Sequence, residues 1–218
     1  MSALSHEQAR RVYDRIGALL DSQSFYEDCA TDVLVRNGRF GSAQRVFELG
    51  CGTGRFAKGL LASELLPAAR YRGLDLSPTM VRLARERLAP FGSRAEVALT
   101  DGSPPKDEPG ASCDRFISNF VLDLLSEDDI SAVIGEAHRI LEPGGLLCLT
   151  SLAIGADSLS RVVARGWAFV HAWSPALTGG CRPLDLRAHV PEDRFPVMHH
   201  AALSRFGVPS EVVIAERR

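Results

Sequence analysis

Val46-Phe47-Glu48-Leu49-Gly50-Cys51-Gly52-Thr53-Gly54-Arg55-Phe56 is the stretch that decides the fold. Val46, Phe47 and Leu49 suit a buried strand, and three alternate glycines then let the backbone turn tightly and approach a ligand with no Cβ in the way. The residues that follow read as a helix. Such a turn at a helix N-terminus is expected to present unpaired N–H groups to a ligand carrying negative charge.

Downstream, 56–66 reads as that helix and Pro67 closes it. A short strand at 71–76 carries the acid Asp75, and Ser77-Pro78 opens another helix with Ser at the N-cap and Pro at the first helical position. A third strand at 96–100 again ends in an acid, Asp101, and a polar, turn-rich loop follows. A fourth strand spans 114–119. Ser126 with Asp129 starts an amphipathic helix, Glu142-Pro143-Gly144-Gly145 stops it, and 146–151 forms an almost wholly apolar fifth strand. This alternation means a parallel sheet wrapped by helices, with ligands at the C-terminal strand ends. Residues 195–202 and 210–216 read as two further strands on a connector too short for a crossover helix, hence an antiparallel pair.

Upstream, the spacing of Ser5 and Gln8 predicts a capped amphipathic helix over 6–20, and a second helix over 25–36 ends at Asn37-Gly38. These helices suit a lid or an outer layer, and periodicity favours packing. Residues 152–193 break the rhythm, with a helix through Trp173 and then an irregular segment; substrate specificity is expected there. Length is ordinary for one α/β domain over 1–218, divided into N-terminal helices (1–40), a core (45–151), the variable region (152–193) and the terminal strand pair (194–218).

A net charge of −2 gives no reason to expect a nucleic acid or an acidic membrane as partner. The five cysteines are odd in number and never form a C-x-x-C pair, which argues against a disulfide framework and a zinc site. No stretch reaches the roughly 18 uninterrupted apolar residues of a membrane span, so a reducing cytoplasm is the default compartment.

Three features coincide at one sheet edge: the glycine turn, Asp75 at a spacing suited to a ribose hydroxyl pair, and Asp101. The dinucleotide fingerprint G-x-G-x-x-G needs glycine at 55, where this chain has Arg55, so a nicotinamide-dependent oxidoreductase is disfavoured. Glu48, inside the first strand, would favour a cationic ligand and not a pyrophosphate.

The motifs E-L-G-C-G-T-G (48–54), G-L-D-L-S (73–77), L-T-D-G (99–102), S-N-F-V-L-D (118–123) and R-I-L-E-P-G-G (139–145), in this order, resemble the class I S-adenosylmethionine-dependent methyltransferases over about 45–151. Within that family the chain looks most like the ubiquinone/menaquinone-methyltransferase-like small-molecule group. The resemblance implies a doubly wound Rossmann-like α/β sheet of seven strands with the last antiparallel, S-adenosylmethionine as cofactor and a small-molecule acceptor. It implies that Gly50, Cys51, Gly52 and Gly54 admit the methionine part while Glu48 supports its ammonium. Asp75 would accept both ribose hydroxyls, Leu76 and Met80 would flank the adenine, Asp101 and Gly102 would meet its amino group, and Asn119 and Phe120 would border the sulfonium. No metal is demanded.

No catalytic base is identified. Tyr13 and His171 are carried as candidates beside Tyr26, His189, His199 and His200, each with packing as the simpler reading. His138 is expected to be solvated, Cys51 to serve by its small size, and Trp167, Phe169 and Trp173 to be core or to line an acceptor pocket. A cofactor-binding regulatory subunit without turnover is the non-enzyme alternative.

Overall fold

Strand β1 (Arg45–Leu49) sits at the centre of the sheet in a computed structural model that describes residues 7, 8, 10, 11, 14, 24–155, 181–205 and 207–218, with the side chains of 24–26 excepted. Val46 faces one apolar cluster and Phe47 and Leu49 the other, so the strand is covered on both sides. That double burial is why its sequence is a near-continuous apolar run instead of an alternation.

On either side of β1 lie β2 (Arg70–Asp75), β3 (Ala95–Leu99), β4 (Cys113–Asn119), β5 (Leu141–Leu152), β6 (Val197–Arg205) and β7 (Val208–Glu216). The order across the sheet is β3-β2-β1-β4-β5-β7-β6. β1, β2, β3, β4 and β5 pair in parallel, whereas β7 runs antiparallel to both β5 and β6. This is the expected seven-stranded α/β sheet with its last strand reversed. Chain direction of travel reverses between β1 and β4, and the crevice above that switch point is where ligands of such sheets bind.

Helix α1 (Ser24–Asn37) packs across β5, β6 and β7 through the fully buried Ala30 and Leu34. α2 (Arg55–Gly59) continues as a π-helical turn (Leu60–Glu64), a tighter-bounded and more irregular helix than 56–66 predicts. α3 (Pro78–Leu88) begins as expected, with Ser77 Oγ accepting the Met80 N–H at 3.2 Å. α4 (Glu127–Ile140) is capped by Ser126 through the Asp129 N–H at 3.1 Å and buries Ile130, Val133, Ile134, Ala137 and Ile140 on one face.

Two boundaries differ from expectation. Residues 142–145 do not stand outside the fifth strand: β5 begins at Leu141 opposite Cys113, bulges through Pro143-Gly144-Gly145, and resumes where Leu146 pairs with Arg115. Gly144, at φ 79°, donates to the Arg217 carbonyl at 2.9 Å, so a stop signal became a bulge stitched to the end of β7. The terminal strands also run closer together, with Arg205 opposite Val208. The predicted first helix and its Ser5 cap lie largely outside the described residues, although residues 7, 8, 10, 11 and 14 are helical.

A buried ionic pair fixes the approach to β1. Asp114 Oδ2 accepts from the N–H groups of Gln44 at 2.6 Å and Arg45 at 3.1 Å. Arg115 donates to the carbonyls of Gly38 and Arg39, each at 2.7 Å, and to Ser42 Oγ at 3.0 Å. Both ions are spent on backbone, as buried charge requires, and the loop that delivers the chain into the central strand is thereby held.

Candidate functional site

At the C-terminal end of β1, Gly50, Gly52 and Gly54 all take positive φ, at 76°, 53° and 74°. The reasons differ. A Cβ on Gly50 would lie 2.2 Å from Val121 Cγ2 and one on Gly54 would lie 3.1 Å from the Ala84 backbone, so these two admit protein. A Cβ on Gly52 would meet nothing within 4 Å: that glycine faces open space.

The N–H groups of this turn are not free. Gly50 and Cys51 donate to the Leu74 carbonyl at 2.8 and 3.0 Å, Gly54 donates to the Cys51 carbonyl at 3.0 Å, and Gly52 donates to Asp75 Oδ2 at 2.8 Å. The glycine N–H groups expected to face an anion are therefore paired within the protein. The turn spends its donors on β2, and the regular helix behind it, Arg55–Gly59, is too short to sum a useful dipole.

What faces the space is negative instead. Glu48, 2% exposed, accepts from Tyr71 Oη at 2.5 Å and from Asn119 Nδ2 at 3.2 Å. Thr150 Oγ1 donates to Asn119 Oδ1 at 3.0 Å and so fixes which way that amide points. Burial pushes the Glu48 carboxyl up to about 7, the charge of Asp75 adding to the rise and the two hydrogen bonds opposing it. Asp75 accepts from Ser77 N–H on Oδ1 at 2.9 Å as well as from Gly52 on Oδ2. Its carboxyl is also raised by burial, against the pull of those N–H groups. Each Asp75 oxygen keeps a lone pair for a further donor.

Of the residues singled out in the sequence, Glu48, Gly50, Cys51, Gly52, Asp75, Met80, Asn119 and Phe120 line one cavity. Gly54 stands behind it against α3. Leu76 and Asp101 belong to a separate depression with Pro78, Leu99, Thr100 and, from the N-terminal residues, Glu7 and Arg10. Asp101 is exposed and binds the Ser103 N–H at 2.8 Å; Gly102 lies beside it, in neither lining. Cys51 is buried, and burial together with the charges of Asp75 and Glu48 raises its thiol well above the ordinary value, which leaves small size as its role. The space it occupies with Tyr71 exists because residue 73 is glycine, whose Cβ would lie 2.7 Å from Tyr71 Oη.

Tyr13 and His171 lie outside the described residues, as do Trp167, Phe169, Trp173 and the side chain of Tyr26. His189 approaches Glu127 at 3.5 Å and His200 approaches Glu211 at 2.8 Å, and neither they nor His199 lines the cavity. His138 is not simply solvated. It sits half-buried with its ring edge-on to Phe195, 5.4 Å between centroids, and desolvation lowers its pKa.

The cavity also contains residues that sequence reasoning did not select: Glu27 and Thr31 from α1, Arg55, Phe56, Val121, Asp123, Leu124, Leu152 and Cys181. Helix α1 is thus both packing layer and cavity wall, since Ala30 and Leu34 enter the core while Glu27 and Thr31 turn to the cavity. Arg55, where a dinucleotide fingerprint would have glycine, reaches back to Asp28 at 2.7 Å and Glu27 at 3.8 Å and ties α2 to α1.

This arrangement suits a ligand with a hydroxyl pair and positive charge, and the N–H groups of Gly50, Cys51, Gly52 and Gly54 are already taken by the protein. Comparison with known proteins speaks to the family and the fold. Residues 46–145 match the family described as a methyltransferase domain. The malonyl-acyl-carrier-protein O-methyltransferase of Laribacter hongkongensis is 31% identical over 165 residues, covering 72% of this chain and 52% of that protein. The chain spans about half the length of the curated relatives it matches, 44% of one and 52% of another. Among solved structures, the cyclase SpnF superposes with a TM-score of 0.75 at 18% identity, over 100% of this chain and 98% of SpnF. The N-methyltransferase NodS of Bradyrhizobium japonicum, in complex with S-adenosyl-L-homocysteine, gives 0.71 at 18% identity, over 96% and 98%. At that identity the two structures speak for the fold.

Proposed function

Because the chain belongs to the class I S-adenosylmethionine-dependent methyltransferases, we propose that it binds S-adenosylmethionine in the cavity above β1, β2 and β4 and methylates a small molecule. Bound there, the cofactor supplies a methyl group already activated by its sulfonium. The chain's own work is then to bind, orient and exclude water, and positioning alone is worth roughly 7–11 kcal/mol in such displacements.

The observation that carries this reading is Asp75. Two backbone N–H groups hold its carboxylate at the end of β2, 2.8 and 2.9 Å away, with its remaining lone pairs free to accept a ribose hydroxyl pair. Glu48, buried and clamped between Tyr71 and Asn119, supports the ammonium, and Gly52 leaves room for the amino-acid portion. Met80 borders the cavity floor. Leu76, Asp101 and Gly102 are assigned to the adenine, Asn119 and Phe120 to the sulfonium. The single-domain organisation belongs to the same reading. So does a cytoplasmic setting, supported by five free cysteines and by the absence, among the described residues, of a helix long and apolar enough to cross a membrane.

Calorimetry with S-adenosylmethionine, S-adenosylhomocysteine and NADH tests the proposal. The two sulfur cofactors are expected to bind in the micromolar range, and preference for NADH would overturn it. Asp75→Ala is expected to weaken S-adenosylmethionine at least tenfold while thermal melting shows the variant folded; unchanged affinity removes the ribose assignment.

A further inference from the structure

Beyond Asn119 the chain takes an unusual path. Phe120 sits at φ 52°, a conformation that disfavours a bulky side chain, and a single 3-10 turn, Leu122–Leu124, follows. Asp123 lies in the middle of that turn and in the cavity wall, with Leu124, Leu152 and Cys181 around it. It is 0% exposed. Its Oδ2 accepts the Leu152 N–H at 3.2 Å and its carbonyl accepts the Arg182 N–H at 3.0 Å, but Oδ1 is buried with no hydrogen-bond partner among the described residues. A buried carboxylate oxygen left alone destabilises the fold. Cavity-wall residues that retain such a cost are candidates for contact with a ligand.

Building on the methyl-transfer reading above, we propose that Asp123 is the base that receives the acceptor's proton, and that the acceptor is therefore a hydroxyl or amine compound and not a carboxylate. The acceptor oxygen or nitrogen forms its new bond to the methyl carbon as that carbon's bond to sulfur breaks, the electron pair of the broken bond remaining on sulfur. The proton released from the acceptor passes to Asp123 Oδ1, leaving a neutral carboxylic acid. Burial pushes this carboxyl up to about 7, opposed by the Leu152 N–H and by Arg182, which places it where a base works best near neutral pH.

The charge of the cavity sets the substrate class. Glu27, Glu48, Asp75 and Asp123 line it against Arg55, which is already paired with Asp28 and Glu27. A carboxylate brought beside Asp123 would meet like charge in a poorly solvated wall, whereas a protic group completes the empty oxygen. A purely structural alternative exists nearby. Arg182 Nε is also buried without a partner among the described residues, while its Nη2 binds the Leu125 carbonyl at 2.8 Å and Glu127 at 2.9 Å, so Asp123 would serve only as a counter-charge for Arg182.

Matched ring probes separate these roles, because the cavity end is apolar and the three differ only in the polar group: phenol, aniline and benzoate, measured by calorimetry on the protein saturated with S-adenosylhomocysteine. Phenol and aniline are expected to bind at least tenfold better than benzoate, and Asp123→Asn, which keeps an acceptor for the Leu152 N–H, is expected to cut that preference below threefold. Phenol affinity should rise between pH 6 and 8 in the natural protein and stay flat in Asp123→Asn, where Glu48 and Arg182 are unaltered. A role confined to Arg182 would leave both preference and pH profile unchanged. Benzoate binding as well as phenol, no binding by any probe, or an unaltered variant overturns the proposal. Failure to bind S-adenosylhomocysteine at the outset would instead overturn the methyl-transfer reading.

Discussion

Asp75 and Asp123 are carboxylates in the wall of one cavity, yet the first has both oxygens held by backbone N–H groups and the second has one oxygen with no partner among the described residues. The glycine turn around Asp75 repeats that contrast: its N–H groups close onto β2, while across the cavity Phe120 is held in a left-handed conformation and a short turn replaces regular structure. The difference teaches where precision is built in. The end proposed to meet the cofactor is satisfied before a ligand arrives; the end proposed to meet the acceptor leaves polar capacity for a ligand to complete.

The two ends touch at Gly50 and Val121, and that contact gives the largest expected effect. Gly50→Ala would put an alanine at φ 76°, costing about 1–2 kcal/mol, and drive its Cβ to 2.2 Å from Val121 Cγ2, adding about 1–3 kcal/mol of overpacking. Urea unfolding should show a loss of roughly 2–5 kcal/mol, and Val121→Ala in the same chain should return the overpacking part only. An equal loss with and without Val121 would mean the two ends are not mechanically joined.

A smaller effect distinguishes the ends by pH. Glu48 and Asp123 are both raised to about 7 in the folded chain, above their ordinary carboxylate values, so the folded state binds the extra protons. Their contribution to stability is fully present below the unfolded values near pH 4 and is lost as pH rises through about 7. Each group is expected to make the unfolding free energy about 1–3 kcal/mol greater at pH 5 than at pH 8. Glu48→Gln and Asp123→Asn should each flatten the profile. S-adenosylmethionine, bringing positive charge to Glu48, should reduce the difference through Glu48 and leave the Asp123 part.

The cofactor end was the readable one for a physical reason. Positive φ, strand burial and a helix cap are local requirements, so glycine, apolar runs and Ser77-Pro78 betray them in the chain itself. Even there, sequence could not say where the N–H groups of the turn would go, because their acceptors, Leu74 and Asp75, come from another strand. Asp123 stands inside the motif S-N-F-V-L-D, where nothing local marks it. Its significance lies in burial against Leu152 and Arg182, which are distant in sequence. Likewise nothing in the amphipathic pattern of α1 told that Glu27 and Thr31 would reach the cavity while Ala30 and Leu34 packed in the core.

Ser77→Ala probes the satisfied end at its weakest link. Ser77 Oγ accepts the Met80 N–H at 3.2 Å and donates to Asp14 Oδ1 at 2.5 Å, while its own N–H holds Asp75 at 2.9 Å. Alanine removes the first two contacts and keeps the third, so the variant should lose about 1 kcal/mol of stability by cap removal. If the Asp75 end is fixed by backbone alone, affinity for S-adenosylhomocysteine should stay within twofold, because the groups that orient the carboxylate are untouched. A drop of fivefold or more would show that Asp14, reaching over from the N-terminal residues, takes part in holding the ribose edge. The cofactor end would then share with the acceptor end a dependence on parts of the chain outside the sheet.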